Sequence, residues 1–317
     1  MSYKLSIIIP AYNEEDNIPV IYSRIEKLAP QIDGKINIIF VDDGSTDRTL
    51  NILRDLHKKD KSVSYISLAR NFGHQIALKA GLNFAGGDGI VVLDADLQDP
   101  PEIIPQMIEK WKEGYQVIYA QRIKREGDTF LKKLTAHFFY RFLNYLSEVK
   151  IPLDTGDCCF MDKKVVKTLQ KMKEHSPYIR GLRTWVGFKQ TSISFAREKR
   201  FEGEAKYNFK KSLALAMDGI FSLSKRPLKL SIYLGFLCAC FAIVMSCLVV
   251  YWRLTQPEAR LTGFAINTIS MFFIASVQLF VVGILGEYLG RIYDEVKGRP
   301  IYTVDEVCGF ENFDEDR

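Results

Sequence analysis

The sequence predicts an α/β fold, a mainly parallel sheet covered by helices, followed by interfacial helices and a two-helix transmembrane hairpin. Three features carry that prediction. Short β-rich runs alternate with amphipathic stretches in the N-terminal part, carboxylates cluster where those runs end, and two long uncharged runs lie near the C-terminus. None of this shows in the average: the 317 residues are 47% hydrophobic and 26% charged, an ordinary globular composition.

Lys4 to Pro10, Ile36 to Val41, Ser62 to Ala69, Ile90 to Asp94 and Val117 to Gln121 read as strands, short and rich in branched side chains that suit a pleated surface. Between them, Asp16 to Leu28, Thr46 to Lys58, His74 to Phe84 and Glu102 to Lys112 carry apolar residues at helical spacing. Parallel strands need such crossovers, so repeated βα units imply a parallel sheet with helices on its faces. Ligands of such sheets bind in the crevice beyond the carboxyl ends of the strands.

Leu230 to Trp252 is a run of 23 residues without a charge, and Leu261 to Gly286 is another of 26. Each exceeds the roughly 20 residues a helix needs to cross about 30 Å of hydrocarbon. Core helices of a soluble protein usually keep a polar face, and neither run has Asp, Glu, Lys or Arg on its circumference. Arg253 to Arg260 then forms a tight connection, and two crossings return the chain to its starting side. Lys225, Arg226 and Lys229 before the first run, with Arg291, Lys297 and Arg299 after the second, favour a cytoplasmic face for both termini. The expected organisation is a catalytic domain over 1–208, a juxtamembrane segment over 209–229, spans at 230–252 and 261–286, and a cytoplasmic tail over 287–317. Within it, residues 129–147 and 209–228 have the composition of helices lying on a membrane surface; a core-facing helix is the alternative for each.

The six cysteines show no zinc-ligand spacing and read as reduced structural residues. Leu5 to Pro10 is too short for the apolar region of a signal peptide, and Asn13 to Asp16 follow at once. A net charge of +5 without a long basic run argues against nucleic acid and leaves anionic headgroups near the spans as the partner for the basic residues.

The strand ends are acidic. The second runs into Asp42-Asp43-Gly44-Ser45-Thr46-Asp47 and the fourth into Asp94-Ala95-Asp96-Leu97-Gln98-Asp99, while the first meets Pro10-Ala11-Tyr12-Asn13-Glu14. Hard divalent cations prefer oxygen ligands, and Mg²⁺ typically uses one or two carboxylates plus substrate phosphates, so Asp94 and Asp96 suit a metal-bound diphosphate, with Mg²⁺ or Mn²⁺ as the ion. For Asp42 to Asp47, turn formation and helix capping by Ser45 or Thr46 are equally compatible with the pattern.

Ile7-Ile8-Ile9-Pro10-Ala11-Tyr12-Asn13-Glu14-Glu15, Val41 to Asp47, Arg70-Asn71-Phe72-Gly73 and Asp94 to Glu102, in that order, resemble family 2 glycosyltransferases with the GT-A fold, a Rossmann-like arrangement. The two spans and Arg200-Phe201-Glu202-Gly203-Glu204-Ala205-Lys206-Tyr207 are similar to polyprenyl-phosphate glycosyltransferases, most of all to bactoprenol glucosyltransferases of the GtrB type, relatives of dolichol-phosphate mannose synthase. The likeness extends to Phe310 and leaves out the acidic tail from Glu311.

The resemblance implies that Pro10, Ala11, Tyr12 and Glu14 line the nucleotide pocket beside Asp42, with Asp43 on the uracil. It also implies that Asp94 and Asp96 serve the ribose, diphosphate and metal, Asp96 as the more direct ligand. Asp157, in Asp154-Thr155-Gly156-Asp157, matches the acceptor-side carboxylate and is the candidate base. A phosphate monoester acceptor, with a second pKa near 6, is already largely dianionic at neutral pH, so Asp157 could instead orient it or balance charge. Arg122, Arg200 and Lys206 are the candidate cations for the acceptor phosphate, because guanidinium forks bind phosphate oxygens bidentately. His74, next to Gly73, reads as a helix-start residue. Trp185 lacks the Gln-x-x-Arg of processive relatives, which argues for transfer of a single sugar.

The expected activity is inverting transfer of one hexose, glucose from UDP-glucose, onto undecaprenyl phosphate at the inner (plasma) membrane, with membrane lipids as neighbours. Gly235, Gly283, Gly286 and Gly290 would permit close helix packing in a homo-oligomer. Three competitors share some of these features: a dolichol-phosphate-mannose-type enzyme using GDP-mannose, a non-catalytic membrane scaffold, and a channel or transporter subunit. The last is disfavoured because neither span carries an ionisable group.

Overall fold

A computed structural model describes residues 3–122, 155–195, 221, 224–255 and 263–310. Arg200, Lys206, the expected surface helix at 129–147 and most of 209–229 lie outside the described residues, as do Arg260 and the tail from Glu311.

Eight strands form one sheet among the described residues: β1 Tyr3–Ala11, β2 Gly34–Asp42, β3 Val63–Leu68, β4 Gly89–Val92, β5 Val117–Arg122, β6 Thr155–Asp162, β7 Gln190–Phe195 and β8 Val304–Cys308. Their order is β7-β5-β6-β4-β1-β2-β3-β8. The pairs β1/β2, β1/β4, β2/β3 and β5/β7 are parallel, as the repeated crossovers require. β6 runs antiparallel between β4 and β5, and β8 antiparallel along β3.

Side chains alternate across this sheet with period two. Ile7, Ile9, Ile38, Phe40 and Val91 face one apolar layer under α1 (Asn17–Leu28), α2 (Thr49–Lys59) and α4 (Ile104–Lys112). Ile8, Ile39, Val41, Ile90 and Val92 face the other, under α3 (His74–Phe84), α5 (Lys163–Lys171) and α6 (Ile179–Trp185). Both faces are covered, so the parallel strands read as continuous apolar runs in place of alternating ones.

Two apolar helices follow, α7 (Arg226–Thr255) and α8 (Gly263–Lys297). Segments Arg226–Tyr251 and Ile269–Lys297 have mean hydropathies of 2.5 and 2.2 and are long and apolar enough to cross a membrane. Phe236 and Leu279 are more than two-thirds exposed, as expected of faces whose natural surroundings are apolar. α8 continues well past Gly286, where the uncharged run ends. Glu287 and Arg291 form an i,i+4 ion pair at 2.9 Å that suits a helix, and the helix stops only at Gly298, which has φ +59°, with Pro300 beyond it.

β8 lies in what the sequence marks only as a tail. It is held by Glu306, whose carboxylate accepts from Arg54 Nε at 3.1 Å, from the Arg54 Nη2 group and from the Tyr65 hydroxyl. Arg54 and Tyr65 pull the Glu306 carboxyl below its ordinary pKa. A depressed folded-state pKa means that this contribution is present above the unfolded value and disappears as pH falls through the folded one. Glu306→Gln should therefore speed exchange of the β8 amides roughly tenfold at neutral pH, as expected when a charge-assisted hydrogen bond worth on the order of 1.5 kcal/mol is weakened. In the wild type, protection factors for Val304–Cys308, corrected for intrinsic exchange, should fall toward those of the variant as pH drops below the ordinary carboxylate range.

Candidate active site

The loops after β1 and β2 brace each other before they can meet any ligand. Asn13 has φ +52°, a left-handed conformation that Asn tolerates better than most residues. There its backbone N–H donates to Ser45 Oγ at 2.9 Å and its side-chain oxygen accepts from the Thr46 N–H at 2.8 Å. The Glu14 N–H donates to Thr49 Oγ1, and the Arg48 N–H to Glu15, both at 2.9 Å. Pro10 and Ala11 are buried beside Val41 and Asp42 in register, while Tyr12 and Glu14 are half-buried at the rim.

The two acids at the end of β2 are turned inward. Asp42 accepts from the Ser45 N–H and from the Ser67 hydroxyl, both at 3.1 Å. Asp43 accepts from the Phe72 N–H at 2.7 Å and the Gly73 N–H at 2.9 Å, one on each oxygen. Burial pushes the Asp43 carboxyl up, against the pull of those two N–H groups. Asp43 thereby fastens the Arg70-to-Gly73 loop to the strand end. Gly44, at φ +67°, lets that loop close, because a Cβ here would overlap the backbone of Arg70 and Asn71.

β4 delivers Asp94 and Asp96 to the same crevice. Between Asp96 and Gln98, buried Leu97 is held at φ +58°, a costly conformation for a bulky side chain of the kind that collects at functional sites. Val92 pairs with Cys159 across the antiparallel ladder, so the beginning of β6 runs beside the end of β4 and sets Asp157 next to Asp94. His74, the first residue of α3, completes the corner: its Nε2 lies 3.2 Å from Asp157 Oδ2 and 3.5 Å from Asp94 Oδ1.

Asp157 is only 4% exposed and is surrounded by donors. Arg180, from α6, forks onto it, Nε to Oδ1 at 2.9 Å and Nη2 to Oδ2 at 3.0 Å. Gln75 Nε2 adds 3.2 Å to Oδ2, and Gln75 Oε1 in turn accepts from the Ile179 N–H at 3.0 Å, tying α3 to α6. Arg183, 2% exposed, donates to the carbonyls of Gly156 at 3.0 Å and Asp157 at 3.2 Å, fixing the backbone.

The electrostatics follow from this packing. Burial favours the neutral form of His74, yet its bond to Asp157 and the charges of Asp94 and Asp157 win and lift it to about 9. Burial lifts Asp94 to about 7 with help from Asp157, Asp99 and Asp96, despite His74. Asp157 goes the other way: burial would raise it, but Arg180 and His74 hold it well below the usual carboxylate range.

A divalent cation fits one part of this corner better than another. His74, Asp94 and Asp157 offer atoms within 4.8 Å of one another, a spacing that suits a metal, but the guanidinium on Asp157 and the cationic imidazole oppose further positive charge. Asp94 Oδ1 is buried, has no hydrogen-bond partner among the described residues and faces the His74 ring at 3.5 Å, a hard oxygen not yet engaged, with Asp96 two residues on. The pair Asp94 and Asp96 therefore fits an oxygen-seeking ion.

Of the residues expected from sequence, the structure gathers Asp94 and Asp157 in one corner with His74, while Asp96, two residues beyond Asp94, accepts from the Gln98 N–H at 3.2 Å. Pro10, Ala11, Tyr12 and Glu14 lie on the β1/β2 side, and Asp42 and Asp43 are engaged within the fold. Arg122 is the last residue of β5, its backbone in register with Phe195. Arg180 and Gln75 are unmarked in the sequence, because neither belongs to a recognisable spacing; His74 is legible only as the residue after Gly73. Asp43→Asn should turn an amide N–H₂ against a backbone N–H and cost about 1 to 3 kcal/mol, seen as a Tm lower by roughly 2 to 8 °C in thermal unfolding of the full chain in detergent.

Comparison with known proteins agrees with this geometry. The model of the Glycosyl transferase family 2 matches residues 6–170. The chain is 47% identical over 307 residues to the uncharacterized glycosyltransferase YkcC of Bacillus subtilis (strain 168), covering 97% of this chain and 95% of that one. It is 36% identical over 304 residues to the prophage bactoprenol glucosyl transferase homolog of Escherichia coli (strain K12), covering 96% and 99%. To the SfII prophage-derived bactoprenol glucosyl transferase of Shigella flexneri it is 37% identical over 301 residues, covering 95% and 97%. A GT-A sheet with its acids at the strand ends, matched over nearly its whole length by such relatives, belongs to glycosyltransferase family 2.

Proposed function

We propose that this glycosyltransferase moves a single glucose from UDP-glucose onto undecaprenyl phosphate or a similar polyprenyl phosphate, with inversion, releasing UDP. The observation that carries the reading is the combination, in one chain, of full-length similarity to proteins named bactoprenol glucosyl transferases with an acidic GT-A crevice and two apolar helices. A polyprenyl tail stays in the bilayer, so its phosphate must be met at headgroup depth, and an enzyme with its own two-helix anchor can do so.

In this reading Pro10, Ala11, Tyr12 and Glu14 cradle the nucleoside on the β1/β2 side, and Asp42 and Asp43 shape that pocket from behind. Asp94 and Asp96 would hold Mg²⁺ or Mn²⁺, which when bound supplies positive charge against the leaving diphosphate. Arg122, Arg200 and Lys206 are assigned to the acceptor side. The catalytic domain and both termini face the cytoplasm, and the protein works as a homo-oligomer in the inner membrane.

Mass spectrometry of the lipid formed from UDP-glucose and a short polyprenyl phosphate with Mg²⁺ or Mn²⁺ tests donor, acceptor and metal together. The expected product is the polyprenyl-phosphate hexose; product from GDP-mannose and none from UDP-glucose would replace the donor. Asp96→Ala should lower kcat by about 100-fold or more, the usual scale for removing one group that stabilises developing charge, and unchanged turnover would remove Asp96 from the site.

A further inference from the structure

We propose that Asp157 is a positioning residue and not the base, and that the Arg180 guanidinium it holds is the cation that receives the acceptor's phosphate. The inference rests on the phosphate acceptor proposed above.

Geometry first excludes the alternative role. A base must present an oxygen to the nucleophile. Both Asp157 oxygens point into protein, where they take two bonds from Arg180 and one each from His74 and Gln75. The carboxylate is almost wholly buried, whereas the Arg180 and His74 side chains are 25% and 30% exposed. A guanidinium has five N–H donors. The fork onto Asp157 uses two of them and Tyr178 engages the same guanidinium, which leaves N–H groups that can take a second anion. At this corner Arg180 and His74 are the partly exposed groups and Asp157 the buried one that holds them.

The place of Arg180 in the sheet assigns the anion to the acceptor. Nucleotide-side loops follow β1 and β2, on one flank of β4. Asp157 begins β6, on the other flank, and Arg180 sits against it. The chain leaves this same corner after Arg122 and returns at Thr155, which pairs with Gln121. Arg180 therefore stands on the β6 flank of β4, opposite the loops assigned to the nucleotide.

The chemistry needs no base. A monoester dianion attacks the anomeric carbon, one P–O⁻ oxygen forms the new C–O bond, and the bond from that carbon to the β-phosphate oxygen breaks with its electron pair leaving on UDP. No proton moves. The obstacle is repulsion between two phosphate groups, which a fixed guanidinium lowers and a carboxylate aimed at the nucleophile would raise.

The test measures equilibrium binding of citronellyl phosphate and of UDP, separately, to the full chain in detergent, together with turnover. Arg180→Lys should weaken citronellyl phosphate by about 10-fold, because an ammonium cannot fork to Asp157 and phosphate at once, and leave UDP within about twofold. Asp157→Asn should show the same pattern, with the loss mainly in acceptor KM. Because the two residues act as a unit, Asp157→Asn with Arg180→Lys should be no worse than the Arg180 variant alone. Arg180→Met strands a buried charge and could fail to fold, so its comparator is Asp157→Asn with Arg180→Met, which removes both charges and should also lose acceptor binding but not UDP. Abolished turnover in Asp157→Asn with citronellyl phosphate binding intact would make Asp157 the base and overturn the proposal. Equal losses for UDP and citronellyl phosphate in Arg180→Lys would overturn it as well. A wild-type chain that binds UDP and no polyprenyl phosphate would instead sink the acceptor reading itself, and this proposal with it.

Discussion

Two carboxylates sit side by side where β4 ends and β6 begins, and most of what is distinctive in the site follows from the repulsion between them. Asp94 and Asp157 cannot both be ionised in so enclosed a corner without compensation. Arg180 and His74 supply it, unequally: Asp157 takes the guanidinium fork and stays charged, while Asp94 Oδ1 has the His74 ring at 3.5 Å and no hydrogen bond. The fold thus separates two chemically identical side chains into an anchored anion and an available ligand.

That division explains why α6 is where it is. Gln75 and Arg180 tie α3 and α6 to the same carboxylate, and Arg183 pins the carbonyls just before and at Asp157. Burying Arg183 and Asp157 is costly on its own, but each polar group finds partners in the neighbouring element. The corner is therefore rigid without help from the nucleotide side, whose two loops are cross-braced by Asn13, Ser45 and Thr49. Two internally braced halves therefore flank β4.

The parallel part of the sheet was legible because its strands are buried on both faces and written in Ile and Val, and the strand-end acids because they sit in short motifs. β6, β7 and β8 were not predicted as strands. Cys158 to Met161 is only four apolar residues beside the motif at Asp157, and in Val304 to Cys308 the adjacent acids Asp305 and Glu306 break period-two alternation, where the ladder with β3 slips register. The orientation of Asp42 and Asp43 was equally hidden. Motif position says that they stand at the crevice, but only the packing of the Arg70-to-Gly73 loop shows that their oxygens are engaged inside the fold. Arg180 was invisible for a simpler reason: its partner lies on a strand that the pattern did not reveal.

β8 constrains how the apolar hairpin can be used. The sheet precedes α7 in sequence and β8, after α8, closes the same sheet, so a membrane crossed by α7 must be recrossed by α8. The end of α8 is also fastened to the catalytic body. The His175 N–H donates to Glu295 at 2.8 Å, and its Nε2 lies 2.8 Å from the Arg299 carbonyl. His175 belongs to the connection between α5 and α6, the same connection that leads into Arg180. A continuous helix from the apolar segment to that connection acts as a strut, because an α-helix resists bending over a few turns. The connection that leads into Arg180 is therefore tied by a few hydrogen bonds to the end of the helix that carries the second apolar segment.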